Sequence, residues 1–218
     1  MSRLEELRQE YCRDGVNYKR LTEIASITRG VRVVRSQLTL EGKYPVYQNS
    51  MTPLGYYEKN NCPANTTFVI GAGAAGEIGY SSVDFWAADD CFYFDCSKSL
   101  QSRYLYYALI SQQAYIFSKV RRASVPRLAR SVIEGLKIPF PPLPVQNEIV
   151  RILDNFSALN AELIARLTAE LTARKKQYEY YRDLLLTFGD IDRTLLTERN
   201  GTERNGTERT IFIIQTKK

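Results

Sequence analysis

The sequence of 218 residues contains no histidine. This absence excludes His-ligated metal sites, Ser-His and Cys-His nucleophile pairs, and imidazole proton shuttles. Glycine and proline are also few, at 12 and 8, and 44% of the residues are hydrophobic. The composition therefore excludes a disordered or fibrous chain, and the length suits one or two folded domains.

Cysteine is scarce, and its spacing excludes a further group of sites. The four cysteines, Cys12, Cys62, Cys91 and Cys96, form no CxxC pair and lack the paired spacing of a zinc site. The spacing predicts buried free thiols, and we assign no metal ligand.

Long hydrophobic runs are also missing. No apolar run approaches the roughly 18 residues that a membrane-spanning helix requires, and the first six residues include three charged ones instead of forming an apolar stretch. We therefore expect a cytoplasmic chain with no membrane contact.

What the sequence has in excess is positive charge, and the excess is local. Thirty basic residues against 24 acidic ones give a net charge of +6. Residues 1–144 carry 18 basic and 13 acidic residues, whereas residues 145–188 carry six of each. The basic character belongs to the front of the chain.

The front of the chain combines helical and sheet patterns. A capping box that starts at Ser2 predicts a helix over residues 2–12, and apolar residues at helical spacing predict an amphipathic helix over 102–120. Between them, β-branched and aromatic runs bounded by Gly, Pro and Asn predict strands at 44–47, 66–70, 78–80 and 91–94. We therefore expect an α+β fold, with a globular mixed-sheet domain over residues 1–143.

A proline-rich segment at 136–144 leads into a single long helix. Proline fixes φ and disfavours helix in the residue before it, so the segment is extended and Pro144 opens the helix. Residues 145–188 contain no Gly or Pro, and Gly189 supplies a C-cap. Such a helix is about 66 Å long, more than one domain of this size buries, so it needs a partner. We assign residues 144–189 as a spacer and dimerisation helix.

The apolar positions of this helix predict how it pairs. Three consecutive steps of four residues separate Leu159, Leu163, Leu167 and Leu171, and such steps locally unwind a left-handed supercoil. An irregular antiparallel coiled coil fits this spacing better than a smooth zipper. The residues predicted to contact a partner helix are Ile149, Ile152, Phe156, Leu159, Leu163, Leu167, Leu171, Tyr178, Tyr181 and Leu185.

Residues 190–218 form a tail that repeats the pentad Thr-Glu-Arg-Asn-Gly from Thr197 onwards. Glycine at every fifth position disfavours helix. The repeat is interpreted either as a slippage-prone coding repeat or as a solvated linker.

The segment 71–76 matches the GxGxxG pattern of dinucleotide-binding proteins, but its context contradicts that function. The pattern requires a helix that begins at the last glycine, whereas residues 77–82 have the composition of a strand and a turn. We predict a glycine-rich turn of the sheet. The adjacent acids Asp89 and Asp90 are interpreted as the cap of a turn, a commoner role than metal chelation, and no catalytic residue is assigned.

Two basic clusters and a polar loop between them indicate nucleic-acid binding. The clusters span 19–43 and 119–137, and interleaved Gly, Ser and Pro place many of their charges in loops. The loop at 47–52 is rich in amides and hydroxyls of the kind that read adenine edges. A solvated basic face is the alternative. The predicted DNA-binding residues are Arg29, Arg32, Arg35, Lys43, Gln48, Asn49, Ser50, Thr52, Arg121, Arg122, Ser124 and Arg127.

Several of these segments resemble the specificity subunit of a type I restriction-modification system. Residues 19–30 resemble the opening of that family's target recognition domain, and residues 44–47, 71–80 and 87–92 resemble its middle. The most specific likeness is the run from Leu136 to Val150, which resembles the family's bridge from recognition domain to spacer helix. The likeness covers about 1–188 and leaves out the tail.

The resemblance implies a subunit without catalysis that lies along double-stranded DNA, reads bases with loops and seats methyltransferase subunits against its long helices. The chain itself needs no cofactor. The partner methyltransferase subunits bind S-adenosylmethionine and methylate adenine, and a restriction endonuclease subunit can join them.

The sequence departs from the family pattern, because it has one recognition domain and one spacer helix instead of two of each. Two copies related by a twofold axis restore the symmetry and read a bipartite site of two inverted half-sites. One alternative is a truncated, phase-variable product of a full-length subunit, whose second half lies out of frame beyond the repeat. Another is a coiled-coil scaffold that does not touch DNA. A dinucleotide enzyme explains only the glycine run.

Overall fold

The computed structural model describes residues 2–187 of the chain. In this part it forms six α-helices, nine strands and one short 3-10 turn at Arg35–Gln37. In chain order the helices and strands are α1 (Arg3–Tyr11), β1 (Tyr18–Arg20), α2 (Leu21–Ile24), β2 (Ala25–Arg29), β3 (Tyr44–Tyr47), β4 (Gly55–Tyr57), β5 (Thr66–Ile70), β6 (Ile78–Ser81), β7 (Trp86–Ala87), β8 (Cys91–Cys96), α3 (Ser102–Ile110), α4 (Gln113–Ser118), α5 (Arg130–Glu134), β9 (Lys137–Pro139) and α6 (Leu143–Leu186).

The first helix begins at the predicted capping box. The Ser2 hydroxyl accepts a hydrogen bond from the Glu5 amide, and the Ser2 amide donates to the Glu5 carboxylate. Leu7 is the residue of α1 that is buried. The prediction of a short helix at the start of the chain is confirmed.

The centre of the fold is an antiparallel sheet of four strands in the order β2-β8-β5-β6. Every residue of β5 is buried, because β5 lies inside the sheet and is covered on both faces. Helix α3 packs on this sheet through Tyr104, Leu105, Ala108 and Leu109, which belong to the main hydrophobic core.

Two smaller sheets complete the fold. Strands β1 and β9 pair as an antiparallel ribbon, which joins the start of the domain to the segment before α6. Strand β3 pairs antiparallel with β4 and parallel with β7. The four predicted strand runs are all strands, and the α+β, mixed-sheet fold class is confirmed.

The single helix predicted over 102–120 is wrong in one respect, since the structure divides it into α3 and α4. The break lies at Ser111 and Gln112. The Ser111 hydroxyl donates to the Ala108 carbonyl, and the Gln112 side chain donates to the carbonyl of Lys137 on β9. Both bonds satisfy polar groups locally and favour a turn over a continuous helix.

The long helix α6 is anchored to the core at its first turn by Gln146, which is fully buried. Its side-chain oxygen accepts from the Gln101 amide at 2.9 Å, and its side-chain nitrogen donates to the carbonyls of Ser99 and Pro141 at 2.9 and 2.8 Å. All of the amide's polar atoms are therefore paired inside the protein. Gln146 fixes the first turn of the helix against the loop before α3.

A second polar anchor lies two turns further along α6, at Asp154. One oxygen of its carboxylate accepts from Arg103 Nε at 2.8 Å, from Arg103 Nη2 at 2.7 Å and from the Tyr107 hydroxyl at 2.5 Å. The rings of Tyr80 and Tyr106 also flank the Arg103 guanidinium. Burial acts to raise the pKa of Asp154, but the bonds from Tyr107 and Arg103 outweigh it, so the pKa lies below its usual value.

The chain divides into two compact units, one that ends at Phe156 and one that begins at Ser157. In the second unit every residue of α6 up to Tyr178 is exposed. The predicted C-cap at Gly189 and the repeat tail lie outside the described residues. No helix in the described part is long and apolar enough to cross a membrane.

Candidate nucleic-acid interface

Two loops from distant parts of the sequence meet at the glycine-rich turn 71–76. The Gly73 amide donates to the carbonyl of Pro126 at 3.0 Å, and the Ala74 amide donates to the carbonyl of Asn49 at 2.9 Å. The turn is followed directly by β6, so it does not begin a helix, as predicted. Its backbone bonds join the 47–52 loop and the 121–128 loop.

Glycine is required at the centre of this turn. Gly73 has φ near +83°, a conformation that L side chains rarely adopt. A Cβ atom there would also lie 2.6 Å from the Asn49 carbonyl oxygen. The GxGxxG pattern in this chain therefore reflects close packing of two loops.

The loop after β2 is held against the turn between β7 and β8. The Gly30 amide donates to the Cys91 carbonyl, and a Cβ at Gly30 would lie 2.2 Å from the Ala88 carbonyl oxygen. Further along, Val33 is buried together with Val46 and Ala88. These contacts fix the backbone of the loop that carries Arg29, Arg32 and Arg35.

The 47–52 loop is held by a buried thiol and a half-buried methionine side chain. Cys91 Sγ donates to the carbonyls of Tyr47 and Gln48 at 3.2 and 3.1 Å. Burial, with a smaller contribution from Asp90, raises the pKa of the Cys91 thiol, so it stays protonated and able to donate. Met51 packs against a second apolar cluster that includes Phe68.

The loop that carries the second basic cluster closes on itself. The Arg121 amide donates to the Arg127 carbonyl, and the Arg127 amide donates back to the Arg121 carbonyl, at 2.9 and 3.1 Å. The two arginines therefore face each other across an isolated antiparallel bridge. Side chains directly opposite each other in an antiparallel pair leave the same face, so both arginine side chains start from one side of the loop.

The two basic clusters come together at a cavity of about 150 Å³ that Arg29 and Arg127 both line. Asp89 and Asp90 also line it, and they form a turn, as predicted. The Arg29 side chain donates to the Asp89 backbone carbonyl. Residues nearly 100 positions apart in the sequence thus form one surface.

The basic residues predicted to bind DNA are exposed and form no ion pairs in the described part of the chain. Arg32, Arg122 and the other five basic residues predicted to bind DNA are all exposed, and none forms an ion pair with a carboxylate among residues 2–187. By contrast, the arginines that do pair with a carboxylate in this part of the chain are Arg3, Arg103, Arg130, Arg151, Arg166, Arg174 and Arg182. The seven basic residues thus lack ion pairs, although the acids Asp89 and Asp90 line the cavity beside Arg29 and Arg127.

The remaining predicted DNA-binding residues differ in position. Asn49, Thr52 and Ser124 are exposed, whereas Gln48 and Ser50 are half-buried, and the Ser50 hydroxyl donates to the Thr52 carbonyl. Lys43 precedes β3, at the opposite end of that strand from the 47–52 loop, and its ammonium lies over the Tyr44 ring. The structure therefore separates Lys43 from the surface formed by the three loops.

Sequence reasoning missed two exposed valines on this surface. Val31 and Val34 are 56% and 46% exposed, although Val33 between them is buried. Because valine is typical of strands and cores, the residue type alone does not indicate an exposed position at a binding surface. Only the flanking arginines could have indicated this position.

The residues predicted to contact a partner helix fall into two groups. Ile149 packs against the core of its own domain, and Ile152 is half-buried. The exposed members are Phe156, Leu159, Leu163, Leu167, Leu171, Tyr178, Tyr181 and Leu185. Apolar side chains that are half or more exposed at helical spacing indicate an uncovered contact face.

Comparison with protein families gives one match over most of the chain. The family described as the type I restriction modification DNA specificity domain matches residues 13–173. A putative type I restriction enzyme specificity subunit of Haemophilus influenzae is 32% identical over 189 residues, which are 83% of this chain and 48% of the relative. A putative type I specificity subunit of Mycoplasma pneumoniae is 31% identical, over 77% of this chain and 46% of the relative. The chain spans about half the length of these relatives.

Comparison with solved structures gives the same fold. The crystal structure of a type I restriction-modification S subunit from M. genitalium matches with a TM-score of 0.63 at 22% identity. The match covers 86% of this chain and 50% of that one. The arrangement of sheets followed by a long helix is therefore found in a solved structure.

Proposed function

The chain belongs to the type I restriction modification DNA specificity family, and from this we propose that it is a sequence-specific DNA-binding subunit that reads double-stranded DNA with three loops. These are the loops at 29–37, 47–52 and 121–128. The proposed role is recognition without catalysis: the chain selects a DNA site and holds other subunits there.

One observation carries this proposal, the facing pair Arg121 and Arg127. Their side chains project from opposite strands of one closed loop, and no described carboxylate lies within ion-pair distance of either. Cations carried at facing positions repel each other in the free protein and are favourable beside phosphate, which releases condensed counterions when it is bound. Arg29, which lines a cavity with Arg127, Asp89 and Asp90, connects this pair to the first loop.

We further propose that two copies pair through α6 as an antiparallel coiled coil. Leu163 and Leu167 are 54% and 57% exposed, and burying such side chains is favourable by about 25 cal/mol per Å². A twofold dimer presents two recognition domains, which would read two inverted half-sites of a bipartite site.

The proposed partners follow from the family. Two type I methyltransferase subunits, which bind S-adenosylmethionine, would be seated on the dimer, and a restriction endonuclease subunit can join them. The complex would act in the cytoplasm, and the chain itself would bind no cofactor.

Titration of a fluorescent random-sequence duplex with the protein, over a range of salt concentrations, tests the DNA-binding proposal. We expect binding at low salt that weakens steeply as salt rises, because phosphate contacts release counterions. The triple variant Arg32→Gln, Arg121→Gln, Arg127→Gln should lose most of this binding.

A matched control removes three exposed cations elsewhere, as Arg8→Gln, Arg13→Gln and Lys98→Gln. It makes the same change in net charge and should bind nearly as the parent does. Equal losses in both triple variants would mean that the loops form only a solvated basic face.

A further inference from the structure

The loop after β2 displays two apolar side chains on a rigid backbone. The Val31 amide donates to the Ala87 carbonyl at 2.9 Å, and the Val31 carbonyl accepts from the Trp86 indole at 2.8 Å. The Val34 amide donates to the Gln37 side chain at 3.3 Å. The loop is therefore held in place on both sides of Arg32.

The same backbone contacts point the two valines outward. Val33 fills the small core cluster beside Val46, so Val34, the next residue along the chain, faces away from that cluster. Val31 and Val34 are 56% and 46% exposed. Since a valine side chain has essentially one flexible torsion, little conformational entropy is lost when such a side chain is covered.

The charges beside these valines indicate what covers them. Arg32 and Arg35 alternate with the valines, are exposed, and form no ion pair with a carboxylate among residues 2–187. Cations that lack acidic partners disfavour an apolar protein surface and favour a polyanion. The apolar group that DNA presents in its major groove is the 5-methyl group of thymine, which apolar side chains contact.

We propose that Val31 and Val34 are specificity-determining residues that contact thymine methyl groups in the half-site. The proposal rests on the DNA-binding function proposed above and adds the base class that this loop selects. Arg32 and Arg35 provide the phosphate or guanine contacts that bring the valines to the bases.

The test begins with selection of tight-binding duplexes from a randomised pool by the full chain. In the best duplex each thymine is then replaced singly by deoxyuridine, which removes the methyl group and leaves the base pairing unchanged. We expect at least one replacement to weaken binding about fourfold, the equivalent of burying one methyl group.

The variants Val31→Ala and Val34→Ala identify the residue responsible. In a double-mutant cycle, the variant that lacks the contact should bind the thymine duplex about fourfold more weakly than the parent protein does. Replacing that thymine with deoxyuridine should then weaken the binding of this variant no further. Val83→Ala is the matched control, since Val83 is 54% exposed and lies in the turn after β6, at the other end of that strand from the glycine turn. It should retain the full deoxyuridine effect.

Three outcomes overturn the inference while the DNA-binding function stands: a selected half-site without thymine, no deoxyuridine effect, or an effect that persists in both loop variants. The persistent effect would assign the methyl contact to another residue. Failure to select any duplex would overturn the proposed function, and the inference with it. A deoxyuridine effect that disappears in one of the two valine variants supports the inference.

Discussion

The recognition domain and the distal part of α6 use apolar residues in opposite ways. In the domain, large side chains such as Phe68 and Leu105 are almost fully buried, and Gln146 has all its polar atoms paired. Beyond Phe156, Leu163 and Leu171 are 54% and 70% exposed. The domain has an internal core, whereas the distal helix exposes an apolar face within the part of the chain that the structure describes.

Arginines differ between the two regions in the opposite sense, since they are paired on the distal helix and, among the described residues, unpaired in the loops of the domain. On the distal helix, Arg166 and Arg174 pair with acids four residues earlier, so the helix neutralises its own charge. On the domain, Arg121 and Arg127 face each other without a described acid between them. One molecule thus has an apolar surface suited to protein and a charged surface suited to DNA.

The largest predicted effect comes from removing the exposed apolar face of the distal helix. Replacing Leu163 and Leu167 with Asp would bury unpaired carboxylates in the helix pair, so the dimer should be abolished. Light scattering should report a monomer, while the fluorescence of Trp86 in the domain should stay native. A variant that remains a dimer would show that α6 does not pair through these residues.

The next effect compares two glutamines of the same helix. Gln146→Ala removes the partner of the Gln101 amide and of the Ser99 and Pro141 carbonyls, of which the last is buried, and should cost about 1–3 kcal/mol of the free energy of unfolding. Gln177 is exposed and accepts one bond from Arg174, so Gln177→Ala should change it by less than about 0.5 kcal/mol. Urea denaturation of both variants measures the difference. Equal effects would contradict the anchoring role of Gln146.

Single arginine substitutions test whether the exposed cations of the domain contact DNA. The six arginines to be replaced singly by Ala are Arg29, Arg32, Arg35, Arg121, Arg122 and Arg127. If an arginine contacts phosphate, its replacement should weaken binding to all DNA sequences alike and lower the slope of log affinity against log salt by about one. If an arginine contacts guanine, its replacement should reduce the preference for that base at one position of the site by about 1–3 kcal/mol. Arg166→Ala on the helix is the control and should do neither. If all six leave affinity and salt slope unchanged, this surface does not bind DNA.

The smallest predicted effect concerns acid stability at the anchor of α6. Because the pKa of Asp154 is lowered in the folded protein, its ion pair stabilises the fold above the unfolded pKa of about 4 and is lost as pH falls through the folded value. The Asp154 side chain is 42% exposed, so solvent screening keeps this below about 1 kcal/mol.

Asp154→Asn should therefore lower stability at neutral pH and flatten its decline between about pH 5 and pH 3. Glu162→Gln, which removes one exposed pair with Arg166, is the control and should leave the acid decline unchanged. Parallel acid declines in the parent and in Asp154→Asn would exclude a contribution from this pair.

Local patterns in the sequence predict much of this fold. The capping box at Ser2 and the strand composition of 66–70 describe short-range preferences, and the structure confirms both. The strand that follows the glycine turn also marks it as a turn of a sheet. In each of these cases the deciding interaction lies within a few residues.

Long-range pairing is what the sequence does not reveal. Strand β1 pairs with β9 across nearly the whole domain, and β3 pairs parallel with β7, although neither match follows from composition. The same limit applies to the site: Val33 is buried and Val34 is exposed, and only the position of Val46 and Ala88 decides which valine faces inward.

We propose that the domain reads the bases and that the paired helices set the distance between half-sites. Duplicating residues 167–170 adds about 6 Å of helix and turns the distal part by about 40°, at a point where the apolar stripe already advances by steps of four. Methylation mapping, in cells that express this variant with a methyltransferase subunit, should show the same half-site bases with a gap wider by about one or two base pairs. Changed bases at constant spacing would contradict the claim.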